Sequence, residues 1–353
     1  MMKGFHPFHK SWVFFSLMVM LFFVGSSSWF SLWVLFEIFG WFFVGFFSKK
    51  SDSFFYSISL WKIFFFSFLS SSVIFLSFSL SSNQIFTSPS LTLMFTLGLM
   101  MKVGVPPFHG WVVVVSENLP MSSFFLFNFF LKFGPVMSFV FFLDFYWQFS
   151  VLIILLALGS VGGWNLYSTH RFLVYSSMSN LSWVFSSLFC GKVLFVVYFC
   201  SYSLVFFFFL KFLTGINDSK ISSPSHTPSL VSQKMMFMLG LMNIMGVPPF
   251  LLFFVKFSVI EFIICSSIFL ALTVISFTVV FMYMYIGFFS NQLFSKPNFV
   301  KKNLSYPSLL WTICFLSGIG FVSIFSCYKL EKPGENPKKY LCIYWYKPSE
   351  RTK

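Results

Sequence analysis

Long apolar runs, interrupted by short clusters of Ser, Lys, Asn, Gly and Pro, fill the chain from about residue 11 to residue 326. A helix that crosses a bilayer needs roughly 20 apolar residues. By that measure the pattern predicts eleven spans, at about 11–26, 28–47, 54–82, 90–112, 123–143, 149–167, 171–190, 193–214, 234–262, 263–289 and 306–326. The expected fold is all-α, a polytopic transmembrane bundle. The basic start followed by an apolar run to about Phe23 also resembles a signal peptide, but the loop charges discussed below need a helix here.

Two spans carry the same interruption. Gly104-Val105-Pro106-Pro107-Phe108 lies in the fourth and Gly246-Val247-Pro248-Pro249-Phe250 in the ninth. Proline removes a backbone donor and clashes one turn back, so both spans are expected to be discontinuous. The carbonyls so freed need protein or water partners, because lipid offers none. Five helices separate the two copies, an odd number, which gives the halves opposite topology, as in inverted-repeat transporters. The expected organisation is a transmembrane domain over 1–326, with five-helix repeats at about 11–143 and 149–289 and a final helix at 306–326. A basic polar tail, 327–353, follows.

Composition agrees with this pattern. The chain has 353 residues, 58% of them hydrophobic and 9% charged. Soluble domains carry about 25% charged residues, so too few polar groups are present to cover a soluble surface. The 61 phenylalanines exceed what packing requires and fit a T-rich gene, as in many mitochondria. The net charge of +14 does not indicate nucleic acid, since the basic residues are spread over loops and tail with no soluble domain. Six cysteines without C-x-x-C spacing offer no zinc site, iron–sulfur site or disulfide framework.

Charge does fix an expected orientation. With eleven spans, Lys3, Lys10, Lys49, Lys50, Arg171, Lys220, Lys234, Lys296, Lys301 and Lys302 share the side of the N-terminus, against Lys192 alone in the opposite short loops. The positive-inside rule then places the N-terminus in the inner compartment and the tail outside.

The candidate chemistry lies in ionisable groups within apolar runs. Five lysines qualify: Lys62, Lys102, Lys132, Lys211 and Lys256. A charged side chain at the bilayer centre costs about 2.5–3.5 kcal/mol on insertion scales. Lys102 and Lys256 flank the two breaks, and Lys132 precedes Gly134-Pro135 deep in an apolar segment. Lys62 and Lys211 lie near helix ends, where the ammonium can snorkel to the interface. A buried lysine can take up or release a proton near neutral pH, which arginine cannot do. Glu37, in the middle of the second span, is the one acid deep in an apolar run of the first half, and Lys102 and Lys132 are its expected partners. Glu261 lies five residues beyond Lys256. His109, just after the first break, has the ring chemistry for a proton relay. No nucleotide loop, flavin motif or haem ligand pair is visible, so no redox chemistry is expected in this chain.

At these residues the chain resembles the subunit 2 family of animal mitochondrial NADH:ubiquinone oxidoreductase (respiratory complex I), an antiporter-like membrane subunit family. Met101-Lys102-Val103-Gly104-Val105-Pro106-Pro107-Phe108-His109-Gly110-Trp111 is similar to its M-K-L-G-x-x-P-F-H-x-W. Lys132-Phe133-Gly134-Pro135 is similar to K-x-x-P, and Gly162-Gly163-Trp164-Asn165 with Tyr175-Ser176-Ser177 to G-G-x-N and A-Y-S-S. Gly246-Val247-Pro248-Pro249-Phe250 with Lys256, and Trp29-Phe30 with Glu37, complete the series. The resemblance implies eleven helices and a proton-transfer axis of Glu37, Lys102, Lys132 and Lys256, with His109 beside it. It implies that NADH, FMN, iron–sulfur clusters and ubiquinone are bound by partner subunits, and no cofactor or metal by this chain. The implied partners are the other membrane and accessory subunits and phospholipid, cardiolipin included, in the mitochondrial inner membrane. Departures from the family occur at Val114, where an acid is usual although Glu117 is near, at Asn180 in place of His, and at Leu166 in place of Gln. They put a peripheral lateral proton route in doubt. A free-standing cation/proton antiporter of the same ancestry is the alternative, and a structural subunit with a degenerate pump is the third reading.

Overall fold

The computed structural model describes residues 28–48, 54–82, 88–142, 145–164, 166, 168–217, 231–248 and 250–294, with Met18, Phe22, Phe23 and Gly25. These residues form eleven α-helices, and no strand occurs among them. In chain order they are α1 (Trp29–Ser48), α2 (Phe54–Ser82), α3 (Ser88–Val103), α4 (Gly110–Asn118), α5 (Met121–Phe142), α6 (Phe145–Val161), α7 (Thr169–Cys190), α8 (Lys192–Asn217), α9 (Val231–Met245), α10 (Leu251–Ser266) and α11 (Ile268–Phe294). Most of the expected span at 11–26, all of that at 306–326, and the tail lie outside the described residues. The expected spans at 90–112 and 234–262 each appear as two helices, which is how the count returns to eleven.

Among the described residues, three helices hold stretches long and apolar enough to cross a membrane: Phe55–Leu80 in α2, Val193–Leu213 in α8 and Ile268–Ser290 in α11. Several boundaries differ from expectation: α4 runs on to Asn118 where the span was expected to end near 112, α6 begins at Phe145 and not 149, and α11 extends to Phe294 and not 289. α6 stops at Val161 and not near 167, because Gly162-Gly163 follow; a side chain at either would meet Tyr175 or Met284. The α10–α11 boundary falls at Ser267, beyond the expected 262/263, where the backbone turns extended and the Ser267 N–H caps Ile263 O at 2.8 Å.

α7 is the centre of the bundle. It packs against α4, α5, α6, α8 and α10. Of its residues only Arg171, Tyr175 and Cys190 escape full burial. Its sequence is nevertheless rich in serine. Ser176, Ser177, Ser179, Ser182, Ser186 and Ser187 each donate their hydroxyl to a carbonyl one turn back along the helix. These bonds satisfy the hydroxyls within the helix, so a polar sequence can occupy an apolar centre. Small residues also let backbones touch. A Cβ on Gly159 of α6 would lie 2.9 Å from Ser179 N of α7, the kind of close approach membrane helices use in place of a hydrophobic driving force.

The bundle places one continuous path of packed helices across itself. α1 packs on α2, α2 on α3, α3 on α5, α5 on α7, and α7 on α10. The candidate residues lie along that path.

Candidate functional site

The two Gly-Val-Pro-Pro-Phe segments cap their preceding helices in the same way. Gly104 has φ +72° and Gly246 φ +82°. The N–H groups of Gly104 and Val105 both bond to Met100 O at 2.9 Å, and those of Gly246 and Val247 bond to Met242 O at 3.0 and 3.2 Å. This is a glycine stop with the left-handed residue just past the helix, and it brings two N–H groups to one carbonyl, Met100 O in α3 and Met242 O in α9. A helix C-terminus carries partial negative charge and favours a cation. Each terminus has one. Lys102 lies in the last turn of α3, and the Lys256 ammonium reaches back from α10 to donate to Met245 O at 2.8 Å.

Lys256 is 6% exposed, with its Nζ 5.3 Å from the Trp183 ring centroid and 5.6 Å from that of Phe281. A Cβ on Gly246 would fall 3.0 Å from Lys256 Cδ. Glycine is thus required there both by φ and by the lysine. Gly246→Ala is expected to cost about 1–2 kcal/mol from the left-handed backbone alone and to push Lys256 off Met245 O. Thermal inactivation of the assembled protein measures it, and an unchanged midpoint would refute the capping role.

Lys102 is 7% exposed, and its Nζ has no hydrogen-bond partner. It lies 4.6 Å over the Phe36 ring of α1. A desolvated cation–π contact returns about 2 kcal/mol, less than the roughly 2.5–3.5 kcal/mol that membrane burial of the charge costs. The charge that reaches it is that of Glu37, next to Phe36 on α1. Glu37 is half-buried, and its Oε1 accepts a hydrogen bond from Ser71 of α2. Trp33 Nε1 bonds to Ser71 O at 3.1 Å, one turn before Glu37, and holds α1 against α2.

Lys132 is 5% exposed and donates to Ser177 Oγ of α7 at 2.9 Å. Ser177 also lies 3.4 Å from Asn128 Oδ1, one turn before Lys132. Pro135 sits inside α5 three residues on, so the backbone ladder is interrupted beside this lysine. Lys132 therefore points into the bundle centre and not toward Glu37's serine.

The other candidates stand apart from these three lysines. His109 is half-buried at the start of α4, its Nδ1 without a hydrogen-bond partner and its ring edge-on to Tyr175 at 6.0 Å. Lys62 is half-buried on α2, and Lys211 is exposed, its Nζ 4.4 Å over Phe207. Glu261 is half-buried on α10. Glu117 pairs with Arg171 between α4 and α7, both partly exposed. Among the described residues no group of three or more His, Cys, Asp and Glu is placed to hold a metal ion.

Sequence reasoning did not find the partners. Ser71, Ser177 and the Met245 carbonyl are ordinary residues whose roles come from tertiary position. It also passed over Tyr198, Tyr202 and Tyr285, all buried. The i, i+4 spacing of Tyr198 and Tyr202 in an apolar helix was the available signal.

Residues 26–282 match the family described as NADH:quinone oxidoreductase/Mrp antiporter, transmembrane. The NADH-ubiquinone oxidoreductase chain 2 of Artemia franciscana is 30% identical over 300 residues, which cover 84% of this chain and 94% of that one. The fold is similar to a chain of respiratory complex I from Thermus thermophilus with bound aureothin, with TM-score 0.71 and 15% identity over 92% of this chain and 78% of the other. It is also similar to a chain of the Mrp complex from Dietzia sp. DQ12-45-1b, with TM-score 0.69 and 14% identity over 85% of this chain and 63% of the other.

Proposed function

We propose the function from one premise: this chain belongs to the NADH:quinone oxidoreductase/Mrp antiporter transmembrane family. It is an antiporter-like, proton-translocating membrane subunit of NADH:ubiquinone oxidoreductase, respiratory complex I. The supporting observation is three almost fully buried lysines, Lys102, Lys132 and Lys256, strung along helices that pack in sequence. Each lysine has a different second group: the charge of Glu37, the hydroxyl of Ser177, the carbonyl of Met245.

In this reading Glu37 and Lys102 form the first exchange site, Lys132 the middle one and Lys256 the last. Energy reaches them from electron transfer between NADH and ubiquinone in partner subunits, which bind the FMN and iron–sulfur clusters. Proton movement then follows changes of charge along α1, α3, α5, α7 and α10, each site altering the cost of a charge at its neighbour. The α3–α4 and α9–α10 breaks act as discontinuous spans of two inverted five-helix repeats, which puts helix ends at mid-membrane. His109, beside Tyr175, is a peripheral contributor. The chain sits among other complex I subunits and phospholipid, cardiolipin included, in the mitochondrial inner membrane.

The fold likeness to the Mrp complex supports a second reading, a cation/proton antiporter that works without a redox partner. Native separation of solubilised membranes discriminates. Complex I predicts co-migration with a large NADH-oxidising assembly. Recovery of the chain only in small, NADH-inactive particles would leave the antiporter.

The orientation follows the charge bias, with the N-terminus in the matrix and the tail in the intermembrane space. Protease added to mitoplasts is expected to clip after Cys327 and spare Lys301. Cleavage at Lys301 with the tail intact would reverse the topology.

A further inference from the structure

Between the Lys132 and Lys256 sites lies a group of buried hydroxyls that the lysine axis does not use. Tyr198 and Tyr202 come from α8 and Tyr285 from α11; the three lie near one another, with Tyr198 and Tyr285 against α7. Tyr198 OH donates to Asn180 Oδ1 of α7 at 3.3 Å. Asn180 Nδ2 is tied to Ser176 O at 2.8 Å, which fixes the amide so that its oxygen must be the acceptor. Tyr285 faces Ser176, the residue before the Ser177 that holds Lys132. On the other side the Tyr285 ring meets the Phe281 ring at 4.6 Å, and Phe281 lies beneath Lys256. Trp183, one turn beyond Asn180, lies beneath Lys256 as well.

The hydroxyls of Tyr202 and Tyr285 are fully buried; that of Tyr202 has no hydrogen-bond partner, and that of Tyr285 lies against the Ser176 hydroxyl. Leaving such a group unsatisfied in an apolar centre is costly, and such groups in native structures call for an explanation, usually water or function. Phenylalanine fills the same volume at no such cost and is the most abundant residue in this chain. Packing alone therefore does not account for tyrosine at 202 and 285.

We infer that Tyr202 and Tyr285 carry protons between Lys132 and Lys256, beside the bonded pair of Tyr198 and Asn180. This rests on the proton-translocation reading above. A phenol can accept a proton on its oxygen while it passes its own onward, so one O–H bond forms as another breaks and no net charge stays on the ring. Gaps longer than a hydrogen bond are closed by water. The Asn180 oxygen only accepts, so Asn180 and the Tyr198 bonded to it are not part of the transfer.

The test uses the whole complex in sealed vesicles. The readout is protons moved per NADH oxidised, which a merely packing role would not change. Tyr202→Phe and Tyr285→Phe keep the rings, and Lys132→Met is the reference. The expected result is assembly at the wild-type level and, for each phenylalanine variant, a fall in the ratio comparable to that of Lys132→Met. A wild-type ratio in both phenylalanine variants beside a lowered ratio in Lys132→Met overturns this inference and leaves the lysine axis standing. A wild-type ratio in all three overturns both.

Discussion

Replacing Lys132 by methionine is expected to leave the complex assembled and able to reduce quinone while it moves fewer protons per electron pair. The structure gives the reason for survival. Lys132 is nearly fully buried, so an unbranched apolar side chain fits its place. Its one hydrogen bond is to Ser177, whose hydroxyl keeps its bond to Val174 O at 2.7 Å when the ammonium is gone. No buried group is orphaned, and the burial cost of the charge, about 2.5–3.5 kcal/mol, is relieved. What is lost is the one titratable group at the centre of the path. Lys132→Arg adds a second measurement. Arginine keeps the positive charge but cannot release its proton, so it should fail as methionine does. Recovery of the wild-type ratio with arginine would show that Lys132 supplies charge and not a proton.

How much of this was readable from the chain varies by level. Apart from α4, most of which lies beyond the expected end at 112, the helices follow from apolar length, since each run lies between Ser, Lys, Asn or Gly clusters. The divisions at Gly104 and Gly246 were readable because glycine and proline act on their own backbone. The α6 end at Val161 was readable from Gly162-Gly163 although the expected span ran on to 167; what was not readable is the packing of Tyr175 and Met284 that leaves no room for a side chain there. The lysines stood out because charge in an apolar run is rare and costly. Their partners did not: Ser177 is 45 residues from Lys132, and Lys256 is held by a backbone carbonyl, which has no signature in any sequence. The serines of α7 lie within an expected span, and that they bond to their own helix in the buried centre is a feature only the structure gives.

The Glu37 and Lys102 pair carries the second large effect. Lys102 Nζ has no hydrogen-bond partner and rests on the Phe36 ring, so Glu37 acts on it through space. Ser71 fixes one oxygen of the Glu37 carboxylate. The charge of each group then sets the cost of charge on the other. Glu37→Gln keeps the shape and the Ser71 contact but removes the negative charge. Lys102→Met removes the positive one. Each single replacement should lower proton movement markedly, because each leaves its partner without the charge that balanced it. The double replacement should lose little more than the worse single one, a coupling within the roughly 0.5–3 kcal/mol seen for residues of one network. A purely structural Glu37 would behave otherwise: Glu37→Gln would then lower assembly, and the losses would add. Losses that add, in complexes assembled to the wild-type level, would separate the two groups and leave Lys102 to be balanced by another acid.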